Sequence, residues 1–214
     1  LASSPRWHML DSEGAQPMDE AQISVGDLFK VRRGIATGAN DFFILTDKQV
    51  RERDLPSAML RPVFTSPRQL ENEIIEANGG GIPLVKEPLF LLDSNLSMIE
   101  IEQRYPTAHR YLQEGREAGV PDGYLCKSRD IWYRQEKREP APFLLSYMGR
   151  STSTRSSPFR FFLNRTRAIA TNGFLCLYPK PALARHLQED PQREVELLEL
   201  LNSISAETLK RNGR

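Results

Sequence analysis

Seven short runs of aromatic and branched side chains limit what this sequence can fold into: LFKVRR from Leu28, FFIL from Phe42, IPLVK from Ile82, PLFLLD from Pro88, FLLSYM from Phe143, FRFFL from Phe159 and GFLCLYP from Gly173. Runs of four to seven such residues suit strands. Helical spacing marks TDKQVRERDL, MIEIEQRY, TAHRYLQEGREAG and PQREVELLELLNS, and SAETL near the end starts like another short helix. In the fourth of these, Val195, Leu197, Leu198, Leu200 and Leu201 form one wide stripe that predicts packing on a sheet. Strands arrive without regular alternation with helices, so the expected class is α+β, with mixed or antiparallel sheets and C-terminal helices. The chain has 214 residues and 39% hydrophobic content, enough for the core of one large domain. Residues 1–22 read as a linker from an upstream domain, with the folded domain at 23–214.

Cys126 and Cys176 stand far apart with no CxxC, and there are three histidines, so neither a disulfide framework nor a zinc site is signalled. Both cysteines read as free thiols in a reducing cytoplasm. No apolar run reaches membrane-spanning length, and no membrane partner is expected. His109 and His186 have no nucleophile or carboxylate partner that the sequence identifies.

Charge is placed unevenly. Net charge is +1, yet from Pro140 to Gln188 there is no Asp or Glu, while Arg150, Arg155, Arg160, Arg165, Arg167, Lys180 and Arg185 all lie inside. With 28 acidic residues in the chain, that gap points to a polyanion-binding surface. Aromatics interleave with these arginines along strand-like runs, which favours nucleic acid over a membrane surface read by a basic amphipathic helix.

The stretch KVRRGIATGANDFFILT, Lys30 to Thr46, carries two arginines and then two glycines around a threonine. It lacks the lysine and serine or threonine of a phosphate-binding loop and leads into an expected strand, so nucleotide binding is not its reading. Two readings stay open. One is a tight connection in which Asn40 caps the turn; the other adds nucleic-acid contacts through Arg32, Arg33, Thr37 or Asn40.

Four ordered landmarks then carry a resemblance: VRRGIATGANDFFILT, LRPVFTSPRQL, GYLCKSRDIWYRQ with PAPFLLSYMGRS, and FRFFLNRTRAIATNGFLCLYPK. Together they resemble the C-terminal target-recognition domain of TaqI-like restriction-modification N6-adenine DNA methyltransferases, over nearly the whole chain. The resemblance implies a module that binds double-stranded DNA and docks beside an upstream methyltransferase domain of the same chain. The (Asn/Asp/Ser)-Pro-Pro-(Tyr/Phe) tetrapeptide that holds the target base in that family is absent, and EPAPF at Glu139 splits its proline pair. NGGGIP at Asn78 reads as a plain turn, not an S-adenosylmethionine loop. The expectation is that this part recognises DNA with no cofactor, while the upstream domain holds S-adenosylmethionine and catalyses.

Recognition chemistry sorts the cations. Arg129, Arg150, Arg155 and Arg160 lie in or beside expected loops and are the candidate base readers. Lys127, Arg165, Arg167 and Lys180 are the candidate phosphate partners. In RDIWYR, strand alternation favours Trp132 as core and Tyr133 as outward. Phe42 and Phe43 should likewise split, one buried and one not. Alternatives from other classes remain: a nucleic-acid-binding domain without base specificity, or a protein-interaction domain of a larger enzyme.

Overall fold

The structure, a computed structural model, describes residues 23–146 and 159–205. Arg150, Arg155 and the expected helix after Ser205 lie outside these, as does the proposed linker. In chain order the elements are α1 (Val25–Leu28), β1 (Phe29–Arg33), α2 (Asn40–Phe43), β2 (Ile44–Thr46), α3 (Asp47–Glu52), β3 (Leu60–Phe64), β4 (Ile74–Ile75), β5 (Leu89–Leu92), α4 (Met98–Arg104), α5 (Pro106–Glu117), α6 (Tyr124–Lys127), β6 (Phe143–Ser146), β7 (Arg160–Asn164), β8 (Ile169–Ala170), β9 (Phe174–Pro179), α7 (Pro181–Glu189) and α8 (Gln192–Ser203). The class is α+β, as expected.

Two sheets organise the chain. The first runs β1-β9-β6-β7-β4 and the second β2-β5-β3-β8. Most pairings are antiparallel, but β4 with β7 and β3 with β8 are parallel. Every residue of β6 is buried because both faces of the first sheet are covered. On one face Phe143, Phe161, Leu163 and Leu177 meet Leu187 of α7 and Leu197, Leu198 and Leu201 of α8, so the predicted leucine stripe packs on a sheet. On the other, Leu144, Phe162, Phe174 and Cys176 meet Phe64 and Ala170 of the second sheet. That sheet in turn packs Leu45, Val63, Leu91 and Ile169 against Ile101 of α4 and Ala108, Tyr111 and Leu112 of α5. Both cysteines are free and buried, and burial pushes the Cys176 thiol up to about 11. Among the described residues no helix is long and apolar enough to cross a membrane.

Three local expectations are corrected. Phe42 and Phe43 lie on a helical turn instead of a strand, where both amides donate to Ala39 O, although they split as expected, with Phe43 buried and Phe42 only partly so. IPLVK forms an isolated bridge, Ala77 to Pro83, instead of a strand. Residues 131–133 are a turn, so strand alternation does not apply there: Tyr133 is buried and donates to Leu96 O, while Trp132 packs partly buried against Phe42, Phe43 and Tyr133.

Candidate nucleic-acid interface

The glycine loop after β1 holds the protein itself. Gly34 N donates to Phe174 O and Ile35 N to Ala170 O, which stitches the loop to the chain between β8 and β9. A Cβ on Gly34 would lie 2.0 Å from Thr171 O, so only glycine fits. Thr37, expected at the nucleic-acid surface, is buried: its Oγ1 donates to Asn40 Oδ1 at 2.6 Å and accepts from Ala39 N at 3.1 Å. Gly38 adopts φ 86°, and a Cβ there would lie 2.9 Å from Leu125 Cβ. That close approach seats α6 on the loop.

Arg129 completes the seat. Its Nη2 donates to Ala36 O at 3.1 Å and Thr37 O at 2.8 Å, its Nη1 to Trp132 O at 3.3 Å, and its guanidinium stands 5.8 Å from the centre of the Phe43 ring. The expectation of a projecting base reader is therefore corrected, because the donors are spent on backbone carbonyls. What the seat presents outward is α6 itself, with Lys127 exposed and Tyr124 at 88% exposure.

The remaining cations divide by environment. Arg160 does not project either: its side chain is 15% exposed, lies 4.5 Å over the Phe162 ring and donates to Leu70 O. Arg165 is held between Glu76 at 3.0 Å and Glu194 at 3.6 Å, so acids from distant sequence offset it. Arg167 is exposed beside Gly81, and Lys180 is exposed ahead of α7. Arg32 and Arg33 are exposed on β1, as is Asn40 at the start of α2.

Sequence reasoning missed a second basic group, gathered around an open cavity of about 700 Å³. Arg61 comes from β3, Arg104 from the end of α4, and Arg134, Lys137 and Arg138 from the segment before β6. The acids at this cavity are Asp93 and Glu139; Asp93 lies 3.6 Å from Arg61, and Glu136 pairs with Arg138. The segment escaped notice because Asp130, Glu136 and Glu139 interleave with its cations and nearly cancel them in a linear count. Tyr178 links this group to β1. Its hydroxyl donates to Glu139 O at 2.8 Å, and Arg138 and Arg32 both act on it; burial, the larger influence, raises its pKa above the usual tyrosine value. Arg134 and Gln135 also border a second hollow shared with Ala36, Leu125 and Arg129, beside the seat of α6. Basic side chains thus extend from Arg32 of β1 past Tyr178 to the cavity.

The described residues do not fit S-adenosylmethionine. That cofactor carries a net positive charge, its sulfonium and ammonium outweighing one carboxylate, and the cavity lining, with five cationic side chains against Asp93 and Glu139, is positive too. The Asn78 turn is closed on itself, with Asn78 Oδ1 accepting from Gly80 N and Ile82 N. No group of three or more candidate metal ligands occurs among the described residues.

Comparison with known proteins agrees with the landmarks. Residues 8–214 match the family model described as type II methyltransferase M.Eco57I, C-terminal domain. Type II methyltransferase M.XamI of Xanthomonas campestris pv. amaranthicola is 28% identical over 184 residues, 86% of this chain and 32% of the relative. Type II methyltransferase M.AccI of Acinetobacter calcoaceticus is 24% identical over 162 residues, 75% of this chain and 28% of the relative. The chain therefore spans about a third of the length of these relatives. Among solved structures, the type IIL restriction-modification enzyme MmeI in complex with DNA aligns over 74% of this chain and 20% of its own, with TM-score 0.47 and 14% identity.

Proposed function

Since this chain belongs to the family of C-terminal domains of type II methyltransferases represented by M.Eco57I, we propose that it is the part of such an enzyme that recognises double-stranded DNA. The basic group at the cavity is the observation that carries this reading: Arg61, Arg104, Arg134, Lys137 and Arg138 gather there, and Arg32 of β1 acts with Arg138 on Tyr178. Phosphates of a duplex suit such a group, and their neutralisation supplies the salt-sensitive part of the affinity. Lys127 and Tyr124, held outward on the rigid seat of α6, are positioned to approach a groove. Readout there sets which site is brought to the catalytic part.

Catalysis, under this proposal, lies in an upstream domain of the longer enzyme. That domain binds S-adenosylmethionine and methylates adenine N6 in the cytoplasm. This chain supplies orientation of the duplex and choice of sequence.

The test is titration of the chain with labelled duplex, single-stranded DNA and RNA across a salt series. Preferential duplex binding that weakens steeply with salt is expected. Absence of binding to every nucleic acid at low salt would overturn the reading in favour of a protein-interaction domain.

A further inference from the structure

We infer that the cavity between β3, the end of α4 and residues 134–139 is a socket for one phosphoryl group. The inference rests on the DNA-recognition reading for its preferred source, a backbone phosphate, but its chemistry stands on the cavity alone.

The walls specify the ligand. Of the five cationic side chains at the cavity, Arg61, Arg134 and Arg138 have Asp93, Asp130 and Glu136 beside them, while Arg104 and Lys137 stand outside any described ion pair and give the site positive charge suited to a phosphoryl group. Guanidinium forks present paired N–H groups at the spacing of phosphoryl oxygens. Arg138 is only 8% exposed, and Glu136 is held by its Nη2. Its guanidinium lies between Glu136 and Tyr178, neither of which lines the cavity, so Arg138 braces the wall. The ligand is met instead by Arg104 and Lys137, the exposed cations of the lining. Met59, Leu96 and Tyr105 form an apolar side, matching the sugar that carries a nucleic-acid phosphate.

The position is fixed by the backbone. Arg61 Nη2 donates to Arg138 O, tying the segment to β3, and Gln135 N donates to Asp93 Oδ1 at 2.9 Å, tying it to the chain after β5. The socket is thus assembled in the unbound chain, and little ordering cost attends binding.

The experiment uses Arg104→Gln, Lys137→Gln and the double variant, because both side chains are exposed and their loss spares the core. Amide chemical shifts are followed while inorganic phosphate, AMP or a short duplex is added, and duplex affinity is measured across a salt series. Phosphate is expected to shift the amides of Gln135 to Glu139, and the double variant to abolish those shifts and lower the salt slope by about 1 to 2. Shifts with AMP and an unchanged salt slope support the socket but assign it to a free nucleotide. Phosphate shifts in a chain that binds no duplex keep the socket and sink the DNA reading. Duplex binding untouched by the double variant, with no phosphate shifts at these amides, overturns the socket and leaves the DNA reading standing.

Discussion

At the scale of single residues, chemistry is decided by neighbours that a linear sequence hides. Arg129 illustrates this: three carbonyl oxygens accept from it, and hydrogen bonds from a charged donor are individually worth more than neutral ones. Arg129→Ala should therefore destabilise the fold by about 2 kcal/mol, read from denaturant midpoints, before any effect on DNA is scored. Cys176 yields a second expectation. With its thiol buried and pushed up to about 11, it should resist alkylation at neutral pH in the native chain and react once the chain is unfolded, as mass spectrometry of labelled protein would show. The sequence foretold free thiols from the cysteine spacing. It could not foretell that Thr37 and Arg160 point inward, because their partners, Asn40 and Phe162, are identified only once loop and strand geometry is known.

At the scale of elements, local rules read well where one face or both are strongly apolar. β6, β7, β9 and α8 follow from hydrophobic pattern. α7 was not foreseen because it opens on Pro181, and a proline that breaks a helix interior is favoured in its first turn. β3 was missed for Pro62, which pairs with Phe90 on one side at a point where β8, paired only with Val63 and Phe64, has not begun. The helix starts offer a pH test. At α4, Ser97 N and Ser97 Oγ both donate to Glu100 Oε2 at 2.8 Å, and these bonds hold the Glu100 carboxyl below its ordinary value of 4.5. A lowered native pKa contributes stability that is present above the unfolded value and lost as pH falls through the native one. Wild type should lose more stability than Glu100→Ala on acidification from neutrality to about pH 3, measured by denaturant titration at both pH values. Equal losses would show that the capping carboxylate contributes nothing.

For the whole molecule, charge in space replaces charge along the chain. The acid-free window located a real excess of arginine, yet Arg165 within it is offset by Glu76 and Glu194, while five cations outside it, from Arg61 to Arg138, surround one cavity. Arg167→Gln should therefore weaken duplex binding and lower its salt slope more than Arg165→Gln, in parallel anisotropy titrations. The reverse order would mean that the Glu76 and Glu194 pairs open on binding. The same distribution bears on how the chain behaves among copies of itself. β1 ends its sheet, paired through β9 alone, and Lys30, Arg32 and Arg33 all stand exposed along it. Two such margins brought together would place like charges about 4.8 Å apart, so strand-to-strand stacking of copies is discouraged by residues that the proposed function assigns to a polyanion. Under the proposed function, solubility at high concentration and affinity for nucleic acid are coupled through one strand. Replacing all three cations by glutamine would loosen both, giving weaker DNA binding together with concentration-dependent association visible by light scattering.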